Sequence, residues 1–203
     1  TFDENGLPEF DCYKHHEFFG HFKLSILGRH NVLNALSCIA LCDAYGIPVE
    51  PMKIALEKFT GADRRFQFKG MLNGAKVYDD YGHHPTEVEA TAKALNNKNF
   101  NESWVVFQPH TFSRTFHLLD DFAHALLHFD NIILTDIYAA REENIYGISS
   151  QDLVDKINET GKKAIFISDF NNISNYLKNH VHGDDIIITL GAGTITNLSK
   201  YLK

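Results

Sequence analysis

The pattern of apolar and polar positions changes character near residue 70. Before it, Phe10, Cys12 and Tyr13, then polar residues 14–17, then Phe18 to Ile26 with alternation in its second half, predict a β-hairpin over 9–27. Because an isolated hairpin is marginal in water, these strands are expected to complete a sheet whose other strands lie outside the chain. Val32, Leu33, Leu36, Ile39, Ala40 and Ala44 recur at helical spacing and predict a helix over 30–45 that stops near Gly46. Pro51 opens a second predicted helix that runs to about Phe59. Thr60-Gly61-Ala62-Asp63-Arg64-Arg65 reads as a linker.

From Gly74 a strand–helix rhythm sets in. Strands are predicted near 74–79, 103–108, 131–136, 163–167 and 185–190, and helices near 85–97, 113–129, 149–160, 171–180 and 193–202. Ser149 and Asp152 have capping-box spacing. Runs such as Ile186-Ile187-Ile188-Thr189-Leu190 suit strands buried on both faces. Alternating βα units give an α/β fold with a doubly wound, mostly parallel, Rossmann-like sheet.

Composition adds exclusions. The 203 residues are 44% hydrophobic and 22% charged, with net charge -7. A chain of this size buries roughly 70% of its unfolded surface and needs no metal or disulfide staple. An acidic balance argues against nucleic acid as a partner. No apolar run reaches the ~18 residues of a membrane span, and residues 1–6 lack the features of a signal peptide. The first residue is Thr1, so the chain is expected to begin inside a larger protein. Cys12, Cys38 and Cys42 form no CxxC; Cys38 and Cys42, four apart in an apolar run, read as core residues of a protein in a reducing cytoplasm.

The polar clusters share one place in this scheme. The first strand of the βα series ends in Asp79-Asp80-Tyr81-Gly82-His83-His84, ahead of Pro85; the second is followed by Gln108-Pro109-His110-Thr111-Phe112-Ser113-Arg114; the third by Asp136 to Glu143; the fifth by Gly191-Ala192-Gly193-Thr194. Open α/β sheets bind ligands at the C-terminal ends of their strands, so these clusters outline one crevice. Gly191-Ala192-Gly193 could nest a carboxylate or phosphate, or serve as a plain strand–helix turn. Either guanidinium of Arg64-Arg65 could clamp a phosphate, or the two could form a solvated basic pair. Asn31 and Asn34, three apart, share one face of their helix, where one of them could be a cap or both could meet a base or ribose. Twelve histidines include two adjacent pairs, His15-His16 and His83-His84, which converge poorly on a metal, and no zinc-type spacing occurs. The chain contains no GxxxxGK[ST] phosphate loop and no GxSxG elbow.

Gly28 to Ala35, Arg64-Arg65-Phe66, Asp79 to Glu87, Gln108 to Thr115 and Gly191-Ala192-Gly193, in this order and spread over nearly the whole chain, resemble the Mur ligase family of peptidoglycan synthesis. Gln108-Pro109-His110 resembles the branch that adds alanine more than the branch that recycles murein tripeptide. The resemblance implies that 1–60 is the end of a central ATPase domain, 61–66 a hinge, and 67–203 the C-terminal amino-acid-binding domain. It also implies an ATP-dependent, amide-forming reaction through an acyl phosphate, with UDP-N-acetylmuramate, L-alanine and ATP as partners. The phosphate loop and most ligands of the Mg2+ that accompanies ATP would precede Thr1, so this chain alone is expected to be inactive. Carried over by position, Asn31 and Asn34 would hold adenine or ribose, Arg65 would reach the ATP phosphates, Asp80 would bind ribose hydroxyls and Tyr81 could stack near the base. His83 or His84, with His110 and Arg114 and beside Gly191 and Gly193, would receive the alanine carboxylate; Arg65, His83 and His84 would act in catalysis. Thr111 stands where some members carry a second arginine. A non-catalytic α/β module binding a nucleotide or amino acid, and a His-rich metal binder, are the alternative readings.

Overall fold

The computed structural model describes residues 1–4, 6–95 and 99–202, so the expected helix end at 97 lies outside the described residues. The chain divides into two compact units, one built on Thr1–Ala62 and the other on Asp63–Ala92 and Asn99–Lys203.

In the first unit, β1 (Glu9–Lys14) and β2 (Glu17–Lys23) form the expected hairpin. His15 and His16 are its two-residue turn, both at positive φ (51° and 71°), so this pair is accounted for by chain reversal. α1 (Arg29–Ala44) and α2 (Val49–Lys58) pack on it through Phe22, Ile39 and Met52, with Phe10, Phe19, Cys42 and Leu56 at the margin. α2 starts at Val49, ahead of the expected Pro51, which sits in the first turn where its missing N–H has no intrahelical partner to lose. Two expectations for α1 fail. Only Ala35 and Ile39 are fully buried, and Cys38 is exposed, because the hairpin and α2 cover a narrower stripe than the apolar sequence offers; Leu33 and Leu41 face outward.

The second unit is a six-stranded sheet in the order β3-β4-β8-β5-β6-β7, with β3 Gln67–Leu72, β4 Ala75–Asp80, β5 Ser103–Phe107, β6 Asn131–Leu134, β7 Ala164–Phe166 and β8 Ile186–Leu190. Five strands run parallel and β3 pairs antiparallel with β4. β3 was not anticipated, although Asn73-Gly74 signals it: both residues have positive φ (50° and 91°), as a tight two-residue hairpin requires. α7 (Phe170–His180) and a 3-10 turn (Thr194–Lys200) cover one sheet face, where Ile173, Leu177, Ile195 and Leu198 meet Val77, Trp104, Val106 and Ile187. Residues alternate across a strand, so Val105 and Phe107 point to the other face, and there the Phe107 ring lies 5.4 Å from that of Phe122. α3 (Pro85–Leu95), α5 (Leu119–Leu126) and α6 (Ser150–Asn158) carry the apolar stripes Val88/Ala92, Phe122/Leu126 and Leu153/Ile157, all buried.

Asp152 accepts hydrogen bonds from the Ser149 amide and hydroxyl, both at 2.7 Å, and so forms the expected cap of α6. The single helix expected over 113–129 is instead α4 (Phe112–His117) followed by α5, with Leu118 out of the helical region at φ -116°, ψ 24°. The helix expected over 193–202 is the 3-10 turn, wound more tightly than an α-helix.

Gly74 tests the hairpin that adds β3. A Cβ there would sit 3.0 Å from the Gly183 Cα, in a conformation L-residues avoid. Gly74→Ala should cost about 1–2 kcal/mol in urea unfolding, whereas an unchanged midpoint would show that the turn is not under this constraint.

Candidate active site

The site grows from the last two residues of β4. Asp79 and Asp80 are adjacent on a strand, so their side chains leave on opposite faces. Both are buried, and each does a different job.

Asp79 is a buried charge with three partners. One oxygen accepts from the Thr189 hydroxyl at 2.7 Å; the other accepts from the Thr196 hydroxyl at 2.8 Å and from Arg64 Nε at 3.2 Å. Arg64 also donates through Nη2 to the Gly191 carbonyl. Arg64 is therefore neither a solvated cation nor a free phosphate clamp. It is a structural counter-ion that joins the chain before β3 to the ends of β4 and β8.

Asp80 shapes the loop. Its Oδ1 accepts from the Gly82 amide at 2.8 Å, and its Oδ2 from the Phe66 amide at 2.8 Å. Burial pushes this carboxyl above its ordinary value, against the opposing effect of those two amides. Both oxygens are committed to backbone. In this conformation Asp80 builds the loop, with one amide on each carboxylate oxygen; the sequence reading gives it ribose hydroxyls as ligands.

The loop then displays its side chains. The Arg64 and Arg65 guanidiniums lie 4.8 and 5.7 Å from the centre of the Tyr81 ring, within cation–π range. The His83 ring packs edge-on to Tyr81 at 5.3 Å. Glu87, in the first turn of α3, accepts from the backbone amides of His83 and His84 at 3.0 and 3.2 Å, and its other oxygen pairs with Arg65 Nη1 at 3.4 Å. Burial raises the Glu87 carboxyl, but the His83 amide, the His83 ring and Arg65 outweigh it and leave it below the usual value.

His83 and His84 separate. The His83 ring lies 5.6 Å from that of His110, which stacks at 5.6 Å on Tyr138. His84 bonds through Nδ1 to the Thr86 hydroxyl and lines a different cavity of about 340 Å³ with Glu89, Asp121, His124 and His128. Arg114, in the first turn of α4, places Nη1 3.0 Å from His110 Nδ1. Arg is a fixed donor, so this His110 nitrogen is the acceptor and the imidazole is neutral in this arrangement. Burial, then Arg114 and His83, hold its pKa below the ordinary imidazole value.

Thr111, ahead of α4, has φ 67°, rare for a β-branched residue. Its amide donates to the Tyr138 carbonyl, and Glu142 accepts from the Ser113 amide and hydroxyl at 2.9 and 2.6 Å, which fixes the start of α4. Gly191 and Gly193 are required by packing. A Cβ on Gly191 would lie 2.5 Å from the Gln108 carbonyl oxygen, and one on Gly193 would lie 2.4 Å from Gln108 Oε1 and 2.6 Å from the Tyr138 ring. The Gly191 amide is already given to the Asp80 carbonyl.

The structure thus brings Arg65, Tyr81, His83, His110 and Arg114 to one sheet edge. It places His84 elsewhere. Asn31 and Asn34 belong to the first unit, where Asn31 donates to the Leu27 carbonyl and accepts from Asn34. Sequence reasoning assigned no role to Asp79, Glu87, Gln108, Tyr138 or Glu142, although all lay within the clusters it marked. Among the described residues, no three His, Cys, Asp or Glu side chains are placed to hold a metal ion, and no helix is long and apolar enough to cross a membrane.

A doubly wound sheet with one antiparallel edge strand, and with guanidinium and imidazole groups at its C-terminal edge, defines an α/β domain of Rossmann-like type. Residues 64–193 match the family described as Mur ligase, glutamate ligase domain. The chain belongs to the Mur ligase family. It is 46% identical over its full length to the UDP-N-acetylmuramate--L-alanine ligases of Acetivibrio thermocellus and Caldanaerobacter subterraneus subsp. tengcongensis, and spans 44% of each. Among solved structures it resembles the UDP-N-acetylmuramate-alanine ligase of Thermotoga maritima, with a TM-score of 0.82 and 28% identity over 98% of this chain and 42% of that one. A murein peptide ligase from Psychrobacter arcticus shares the fold, with a TM-score of 0.66 and 24% identity over 90% of this chain and 38% of that one.

Two measurements test this geometry. Asp79→Ala removes the counter-ion of Arg64 and an acceptor of two hydroxyls; it should cost roughly 3–5 kcal/mol in urea unfolding, and a loss under 1 kcal/mol would contradict the network. By NMR, His110 should titrate below about 6.5, and Arg114→Ala should move its midpoint upward. The sign for stability follows: the unfolded chain takes the proton at higher pH than the folded one, so His110 weakens the fold as pH falls from its unfolded value through its folded value and contributes nothing above both.

Proposed function

We propose that this chain is the amino-acid-receiving part of a cytoplasmic, ATP-dependent ligase that joins L-alanine to UDP-N-acetylmuramate in peptidoglycan synthesis. The observation that carries the reading is full-length identity at 46% to relatives that bear the name of that activity. The 24% identity to a murein peptide ligase gives the recycling activity less support.

In this reading Arg114 receives the alanine carboxylate, since a guanidinium matches a carboxylate in charge and fork geometry. His110, neutral and in contact with Arg114, sets the direction of that guanidinium. His83 forms the facing wall, while His84, turned into its own cavity, takes no part in binding alanine. Gly191 and Gly193 serve by letting Gln108 and Tyr138 close beneath the site. ATP supplies the phosphoryl group that activates the muramate carboxylate. Arg65, half exposed and paired with Glu87 beside Tyr81, is the cation that meets the nucleotide's phosphates. The magnesium that accompanies ATP is assigned to the remainder of the ligase. Most of the rate then comes from positioning and charge stabilisation, with water kept from the acyl phosphate.

The test is to extend the chain N-terminally to the length of its relatives and assay phosphate release with UDP-N-acetylmuramate, ATP and L-alanine. Release that depends on all three is expected. Arg65→Ala should then lower turnover at least tenfold while shifting the thermal midpoint by no more than about 2 °C, as expected for an exposed residue. Release with murein tripeptide in place of alanine would overturn the assignment.

A further inference from the structure

Glu87 holds an unusual number of the site's parts on one short carboxylate. Oε2 accepts from the amides of His83 and His84 and lies 3.4 Å from His83 Nδ1, while Oε1 lies 3.4 Å from Arg65 Nη1. It sits in the first turn of α3, where a carboxylate is favoured by the helix N-terminus and needs no partner elsewhere. Capping alone would use one oxygen. The second reaches outward to Arg65, a side chain 49% exposed that also packs on the Tyr81 ring and acts electrostatically on the Asp80 carboxyl. Flexible guanidiniums at such exposure lose side-chain entropy when fixed, so a dedicated acceptor at this spot serves something beyond the fold of α3.

We propose that Glu87 is a positioning residue of the ligase reaction: its carboxylate fixes the Arg65 guanidinium against Tyr81 and, through the same group, the backbone at His83, whose ring Nδ1 meets the Tyr81 carbonyl at 3.1 Å. One rigid helix start thereby sets the distance between the cation that meets phosphate and the imidazole wall that faces alanine. Arg65 is pre-ordered before nucleotide arrives, and the ordering cost is met during folding rather than in the reaction. Glu87 touches none of the three substrates in this scheme. It acts through Arg65 and His83.

The inference rests on the ligase reading above, and the two fail in different ways. In the extended ligase, Glu87→Gln keeps an oxygen for the two amides but loses the charge that holds Arg65. The thermal midpoint should stay near that of the parent while kcat falls about tenfold. Glu87→Asp, a shorter carboxylate, should recover part of that loss. In an Arg65→Ala background Glu87→Gln should cause less than a twofold further loss, because the group it positions is gone. A merely structural role predicts equal losses in both backgrounds, which would overturn the proposal, as would unchanged kcat in Glu87→Gln. If the extended parent shows no alanine-dependent activity, it is the ligase reading that fails. The 203-residue chain then still decides on Glu87: the Arg65 side-chain Nε–Hε resonance should be ordered in the parent and averaged in Glu87→Gln, and identical relaxation in both would reject the contact.

Discussion

The buried carboxylate of Asp79 is the constraint on which the rest of the site depends. It is fully enclosed and ionised groups are costly to bury unpaired. Its three partners come from different parts of the chain: Arg64 ahead of β3, Thr189 in β8 and Thr196 in the 3-10 turn. Meeting the needs of one charge therefore draws three segments to the end of β4. That meeting point fixes where the sheet ends and the crevice begins. Tyr81 and His83, two and four residues further on, inherit their positions from it.

The next layer consists of groups that build loops rather than meet ligands. Asp80 gathers two amides, Glu87 gathers two amides and a guanidinium, and Glu142 gathers the start of α4. Each carboxylate turns a segment that would otherwise sample many conformations into a single one. The positive φ of Thr111 belongs with these devices: a β-branched residue is kept there because its amide and the helix start behind it are both tied down. The exposed cation and imidazoles stand on this frame, so a few kcal/mol of local order become a preset geometry for ligands.

The adjacent histidines show why a motif does not by itself name its working residues. His83 and His84 are neighbours in sequence, yet one ring faces His110 and the other lines a separate cavity. Both precede α3, which begins at Pro85, and each ring has its own partner: His83 Nδ1 meets the Tyr81 carbonyl and His84 Nδ1 the Thr86 hydroxyl. The arginines divide in the same way: Arg64 is committed to Asp79 and Gly191 in the interior, and Arg65 pairs with Glu87 at the surface.

The sequence by itself determined the parallel strands, the hairpin at 9–23, the cap of α6 and the sheet edge where chemistry collects, because periodicity and turn residues are local signals. Asn73-Gly74 carried the antiparallel β3 in the same way, as a local turn signal. The break at Leu118, the exposure of Cys38 and the tight winding after Gly193 had no local marker, since each depends on which surfaces lie opposite. Only the tertiary structure decided that Asp79 and Asp80 are interior groups, that the glycines at 191 and 193 yield to Gln108 and Tyr138, and that Glu87 links Arg65 to His83. Each role also depends on a partner 14 to 117 residues away along the chain, beyond the reach of local periodicity and turn signals.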